Sequence, residues 1–122
     1  MSMLKIALLQ IAPGLTLEEN LQKGLSACRQ AHQMGADIAL FPEMWSNGYR
    51  IYGRPVPEWT AEAIPADGPF VSAFGSLAQE LGMAIGVTLL ERGPARAAQY
   101  AGPFRPVWPA CFDLRQSAHL RL

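Results

Sequence analysis

The sequence predicts an α/β fold in which parallel strands alternate with helices in the order β-α-β-α-β. Three short apolar runs, residues 4–10 (LKIALLQ), 38–42 (IALFP) and 83–90 (MAIGVTLL), read as strands. Between them, residues 17–34 and 69–81 carry apolar side chains at helical spacing. Pro13-Gly14, Gly35 and Gly82 punctuate the joins, which fixes where each element stops.

The first strand ends before Pro13 and Gly14, a turn signal. Thr16 and Glu19 then have capping-box spacing, so a helix starts near Leu17. Leu21, Leu25, Cys28 and His32 fall on one face of it, and Gly35 stops it. Cys28 and His32 are metal-ligand types, but two such side chains on a core-facing stripe read as packing groups.

The second strand matters most. An unbroken apolar run suits a parallel strand covered on both faces. Pro42 has no N–H for a ladder and marks the strand's end. Glu43 therefore sits at the carboxyl end of a strand, where open α/β sheets hold their ligands. Flanked by Phe41, Met44 and Trp45, it is expected in a partly apolar cleft, and burial there would raise its pKa towards that of a general base. A solvated loop acid or a salt-bridge partner is the plainer alternative.

Residues 44–65 form a long loop containing Trp45, Tyr49, Tyr52 and Trp59. Loops of that length tend to be functional. With Asn47, Arg50 and Arg54 these aromatics could wall a pocket, or they could simply cover the sheet edge. Asp67 is placed to cap the second helix, with Pro69 in its first turn. Phe70, Phe74, Leu77, Ala78 and Leu81 form its buried stripe, and the third strand follows Gly82 directly.

Three segments of this pattern, KIALLQ, LFPEMWSNGY and LGMAIGVTLLE, closely resemble the nitrilase superfamily of carbon–nitrogen hydrolases, over residues 4 to about 96. The resemblance implies the N-terminal part of an α-β-β-α sandwich. It also implies a Glu-Lys-Cys triad, and the Phe-Pro-Glu match carries the Glu role onto Glu43. In an intact relative the Glu activates a cysteine thiol that attacks a small amide, carbamoyl compound or nitrile. No cofactor or metal is implied, and intact relatives are expected to be homo-oligomers.

Composition agrees with one globular domain. The 122 residues are half hydrophobic with a formal net charge of zero. Nothing basic enough for nucleic acid stands out, and no apolar run is long enough for a membrane span. Without a recognisable secretory signal, cytoplasm is the expected location. Two cysteines, Cys28 and Cys111, make neither a disulfide framework nor a metal cluster.

The neutrality hides a split near Gly93. Residues 1–92 hold nine acids against six Lys plus Arg, whereas residues 93–122 hold four Arg and one Asp. The expected division is a partial hydrolase domain over 1–96 and an irregular tail over 97–122. Within the tail, Cys111-Phe112-Asp113-Leu114-Arg115 looks like the family's nucleophile motif, Cys-Tyr/Phe-Asp-x-Arg. No Lys occurs between Glu43 and Cys111, and the interval leaves no room for the strands that carry it, so the likeness reads as accidental.

A shifted reading frame explains the tail better. Codons for Gln116 to Leu122 can be written so that the frame one nucleotide later reads KVHTCDF, which resembles the family's lysine motif. The expectation is therefore a chain frameshifted near Arg96, truncated and inactive. The alternative is a non-catalytic binding or interaction module, since three strands and two helices leave a sheet edge and apolar faces uncovered.

Overall fold

The structure, a computed structural model, describes residues 3–50, residues 52–92 and the strand backbone of residues 104–107. Four strands and three helices follow one another as β1 (Ile6–Leu8), α1 (Leu17–Gln33), β2 (Ile38–Leu40), α2 (Val56–Thr60), α3 (Pro69–Leu81), β3 (Ala84–Leu90) and β4 (Phe104–Val107). They form one sheet in the order β1-β2-β3-β4. β1, β2 and β3 are parallel, as their α-helical connections require, and β4 runs antiparallel to β3.

β4 lies inside the segment expected to be irregular, so four residues of that segment are regular after all. Pro106 is tolerated because it sits on an outer strand of the sheet. The remainder of the tail, including Cys111, lies outside the described residues.

Register explains the core. Ala7, Ala39 and Ile85 align across the three parallel strands and, with Val87 and Leu89, meet the helices. Strand side chains alternate between faces, so Ile6 and Leu8 point the other way, and they are 51% and 66% exposed. All seven residues of β3 are buried.

Helix α1 begins as the capping residues predict. Thr16 Oγ1 accepts the Glu19 N–H at 3.1 Å, and Glu19 Oε2 accepts the Leu15 N–H at 2.7 Å. Of the expected stripe, Cys28 is buried and Leu21 and Leu25 pack half-buried against the core, while His32 is exposed; the face is centred on Asn20, Gly24, Cys28 and Ala31. Gly24 is the cause. A Cβ there would stand 2.7 Å from Phe74 Cζ and 3.0 Å from Trp45 Nε1, so the helix rests its bare backbone on those two rings.

Helix α3 buries Phe70, Val71, Phe74, Leu77 and Ala78. Its N-cap is Gly68 without a side-chain bond, and Asp67 is exposed and makes no cap. A Cβ on Gly68 would lie 2.9 Å from Pro65 Cγ, so the tight approach of Pro65 selects glycine over a polar cap. Gly82, at φ 62°, ends the helix in the left-handed conformation that glycine adopts freely. Among the described residues no helix is long and apolar enough to cross a membrane.

Candidate active site at the end of the second strand

The ladder between β2 and β3 ends where Phe41 N–H donates to the Gly86 carbonyl at 3.0 Å. Pro42 alternates with Leu40 on the β1 side, where it has no N–H to extend that ladder. Glu43 would be the next residue to face β3, but there the chain leaves the sheet. It returns at Ile64, whose N–H donates to Leu90 O at 2.9 Å and whose carbonyl accepts Arg92 N–H at 2.7 Å. Residues 42–63 are thus a long excursion from the edge of β3 that faces β2. Short helix α2 lies within it, an element the sequence did not announce.

Side chains hold this excursion where the ladder cannot. Thr88 Oγ1 donates to the Pro42 carbonyl and accepts the Trp45 N–H at 3.0 Å. Ser46 Oγ accepts the Leu90 N–H at 3.0 Å. From α1, Asn20 Nδ2 donates to Ser46 O at 3.1 Å, and Asn20 O accepts Trp45 Nε1 at 2.9 Å. Apart from the half-buried Pro42 carbonyl, these groups are buried, where an unpaired polar atom is costly.

Glu43 sits between Pro42 and Trp45, just past the carboxyl end of β2. It is exposed, contrary to the burial expected of it. Phe41, Met44 and Trp45 are instead 8%, 2% and 1% exposed, because they turn into the core. Met44 has φ 52°, a left-handed backbone rare for a side-chain-bearing residue. The apolar flank seen in sequence therefore faces inward while the carboxylate faces out. A cleft of about 640 Å³ opens at the end of β2, lined by Leu8, Leu9, Gln10, Ile11, Leu40, Phe41 and Pro42, the residue before Glu43.

The loop aromatics separate into a buried one and an outer pair. Trp45 belongs to the core, its ring 5.3 Å from that of Phe41. Tyr49 and Tyr52 pair at 5.7 Å on the outside. The Tyr49 hydroxyl is pushed above its ordinary pKa, first by a hydrogen bond with Tyr52 and then by the negative charge of Glu43. Tyr49 therefore lies within electrostatic reach of Glu43. Its φ of 60° is the second strained position of the turn.

Asn47, Arg50 and Arg54 brace the loop. Arg50 Nη2 donates to Leu15 O at 2.6 Å, and Arg54 Nη2 to Glu62 Oε1 at 2.6 Å. Asn47 Nδ2 donates to Glu62 Oε2 at 3.3 Å, while Asn47 Oδ1 is buried without a partner among the described residues. Hydrogen bonding from Arg54 chiefly, and from Asn47, holds the Glu62 carboxyl below its ordinary value.

No nucleophile meets Glu43 among the described residues. Cys28 is wholly buried, and desolvation pushes its thiol up to about 12. Lys23 Nζ binds Ala12 O at 2.9 Å, and Lys5 precedes β1, at the opposite end of the sheet from Glu43. No group of three His, Cys, Asp or Glu that could hold a metal ion occurs among the described residues.

Sequence reasoning missed Thr88, Ser46 and Asn20. The signal for Thr88 was present: a lone hydroxyl in a wholly apolar strand must find partners. Ser46 and Asn20 carried no comparable signal.

A family model described as carbon-nitrogen hydrolase matches residues 5–114. The match runs past residue 96, where the resemblance read from sequence ends, and takes in Cys111. Among solved structures, an amidase from Nesterenkonia sp. is 28% identical with a TM-score of 0.54, over 70% of this chain and 32% of that one. The NitFhit protein of C. elegans has a TM-score of 0.62 at 21% identity, over 79% of this chain and 24% of that one. That second likeness speaks to fold alone. The chain thus spans a third or less of the solved structures it matches. No curated protein sequence matches it.

Proposed function

The chain belongs to the carbon–nitrogen hydrolase family, and on that premise we propose that Glu43 is the general base of a small-amide hydrolase whose catalytic set these residues do not complete. The observation that carries this is the turn at 42–46. It leaves β2 at its carboxyl end, is pinned to β3 by Thr88 and Ser46, and carries one exposed carboxylate directly after Pro42, which lines an open cleft.

In a complete relative, the base takes the proton of a cysteine thiol, and the thiolate attacks the carbonyl or nitrile carbon. The amine or ammonia leaves with a proton, giving a thioester; a nitrile gives a thioimidate, which takes up one water and loses ammonia to reach the same thioester. Water, deprotonated by the same carboxylate, then releases the acid. A lysine ammonium stabilises the negative charge that develops on the attacked group.

This chain has no Lys beyond Lys23. Without that cation and a placed thiol, turnover falls by several orders of magnitude. The tail after about residue 96 is read as out of frame. Purified chain should hydrolyse no member of a panel of small amides, carbamoyl compounds and nitriles, and Cys111→Ala should change nothing. Sequencing the gene tests the frame directly: a nucleotide sequence whose shifted frame lacks KVHTCDF removes that account. Where the frame is restored, activity should return and Glu43→Gln should abolish it.

One observation favours a second reading. The family match includes Cys111 to Leu114, so this cysteine could be the family's nucleophile in a shortened chain. Amide hydrolysis by the unaltered chain that disappears in Cys111→Ala would establish it. A non-catalytic binding module is the remaining alternative, and it predicts association without turnover.

A further inference from the structure

We propose that Thr88 is the positioning residue of Glu43: one hydroxyl on β3 grips the peptide groups on both sides of it and so fixes where the carboxylate is presented. This rests on the reading of Glu43 as the base.

The geometry follows from where β2 leaves the sheet. In a parallel ladder alternate residues face each neighbour: Leu40 O accepts Leu9 N–H on the β1 side, and Phe41 N–H donates to Gly86 O on the β3 side. Past Phe41 the chain turns away, and the Pro42 carbonyl before Glu43 and the Trp45 N–H after Met44 are met by a side chain instead. Thr88 is paired to both, donating its hydroxyl proton to the first and offering an oxygen lone pair to the second at 3.0 Å. A hydroxyl is the smallest side-chain group able to do both at once. Valine has the same shape and can do neither.

The grip also explains the strained backbone. Met44 lies between the two clamped groups at φ 52°, a conformation that persists only where its surroundings over-determine it. With the carbonyl before Glu43 and the amide after Met44 both held by one oxygen, the chain between them has little freedom. Leu90 N–H on Ser46 Oγ and Asn20 Nδ2 on Ser46 O anchor the next residues, so the segment from 42 to 46 is held from two elements.

The test compares Thr88→Val with Thr88→Ser by nuclear magnetic resonance on the full chain. In Thr88→Val, Trp45 amide protection should fall ~10- to 100-fold, the loss of one or more buried hydrogen bonds. The Leu9 amide, bonded to Leu40 O in the sheet at 2.9 Å, serves as internal reference and should keep its protection. The coupling and short Hα–HN contact that mark Met44 as left-handed should disappear in Thr88→Val and persist in Thr88→Ser. A general loss of stability would move Leu9 and Trp45 together and would not be rescued by serine.

Unchanged Trp45 protection and an unchanged Met44 signature in a folded Thr88→Val overturn the proposal. Should that variant not fold, the unsubstituted chain decides: a slowly exchanging Thr88 hydroxyl proton close to Trp45 N–H supports the grip, and its absence overturns it. These readings need no turnover. A failed grip therefore leaves the base assignment standing. A Glu43→Gln that keeps activity in a frame-restored enzyme removes the base assignment while leaving the grip measurable.

Discussion

At the scale of single residues, the core is closed by one missing side chain. Gly24 lets α1 settle on Phe74 and Trp45, and Trp45 in turn leads the turn that carries Glu43. In Gly24→Ala, helix propensity alone would add about 1 kcal/mol of stability. The new methyl would meet a ring atom of wholly buried Phe74 at 2.7 Å, and overpacking of that kind costs about 1–3 kcal/mol. Crowding should win, because neither ring has room to retreat, and a lower urea midpoint with unchanged slope is the expected result. Cys28 gives a second prediction at this scale. Burial holds its thiol near 12, so thiolate is scarce at neutral pH and the sulfur is shielded. In folded Cys111→Ala, a disulfide reagent should find no fast-reacting thiol until denaturant is added. Rapid labelling of Cys28 in that variant would mean that α1 does not pack as described.

At the scale of elements, the excursion from 42 to 63 is held by polar contacts more than by burial, and it should respond to acid. Glu62 receives Arg54 at 2.6 Å and Asn47 at 3.3 Å, and these hydrogen bonds depress its folded pKa below the ordinary 4.5. A carboxyl depressed on folding contributes stability above its unfolded value and loses it as pH falls through the folded one. The protection of loop amides from Asn47 to Ala63, taken relative to their intrinsic exchange at each pH, should therefore fall below pH 4.5. The effect should be about 1 kcal/mol or less, since the pair is partly open to water. Glu62→Gln should remove that pH step and leave β3 amides unmoved. The same excursion shows what the residues disclosed in advance. α1, α3 and the three parallel strands were legible because apolar period and Gly or Pro stops agree there. α2 was not: five residues, Val56–Thr60, are too few to show a period, and none of them is buried. β4 was missed because Pro106 and the tail's composition argued against a strand, yet an outer strand needs only alternate N–H groups. For the site, Phe-Pro-Glu correctly located the strand end. The outward turn of Glu43 depends on Thr88, Ser46 and Asn20, which are far apart in sequence and meet only in the fold.

At the scale of the whole molecule, the sheet has unequal faces. Ala7, Ala39 and Ile85 meet α1 and α3, whereas Leu4, Ile6 and Leu8 are 65%, 51% and 66% exposed on and beside β1. Among the described residues β1 is also an outer strand, paired only with β2. A free strand edge beside an uncovered apolar stripe is a template for association. Burying one such side chain in a partner is worth about 1.5–3 kcal/mol, so two or three together can offset much of the entropy of association. The chain should therefore sediment above its monomer mass at roughly 10–100 µM. The substitutions Ile6→Lys and Leu8→Lys together should return it to monomer mass. Both side chains point away from the helices, so the far-ultraviolet spectrum should be kept. Charge on that face acts against edge pairing as well as against apolar contact. A monomeric unaltered chain would mean that the face is covered or too small to associate. A double variant that still associates would move the contact elsewhere, and the outer edge at β4 would be the next place to substitute.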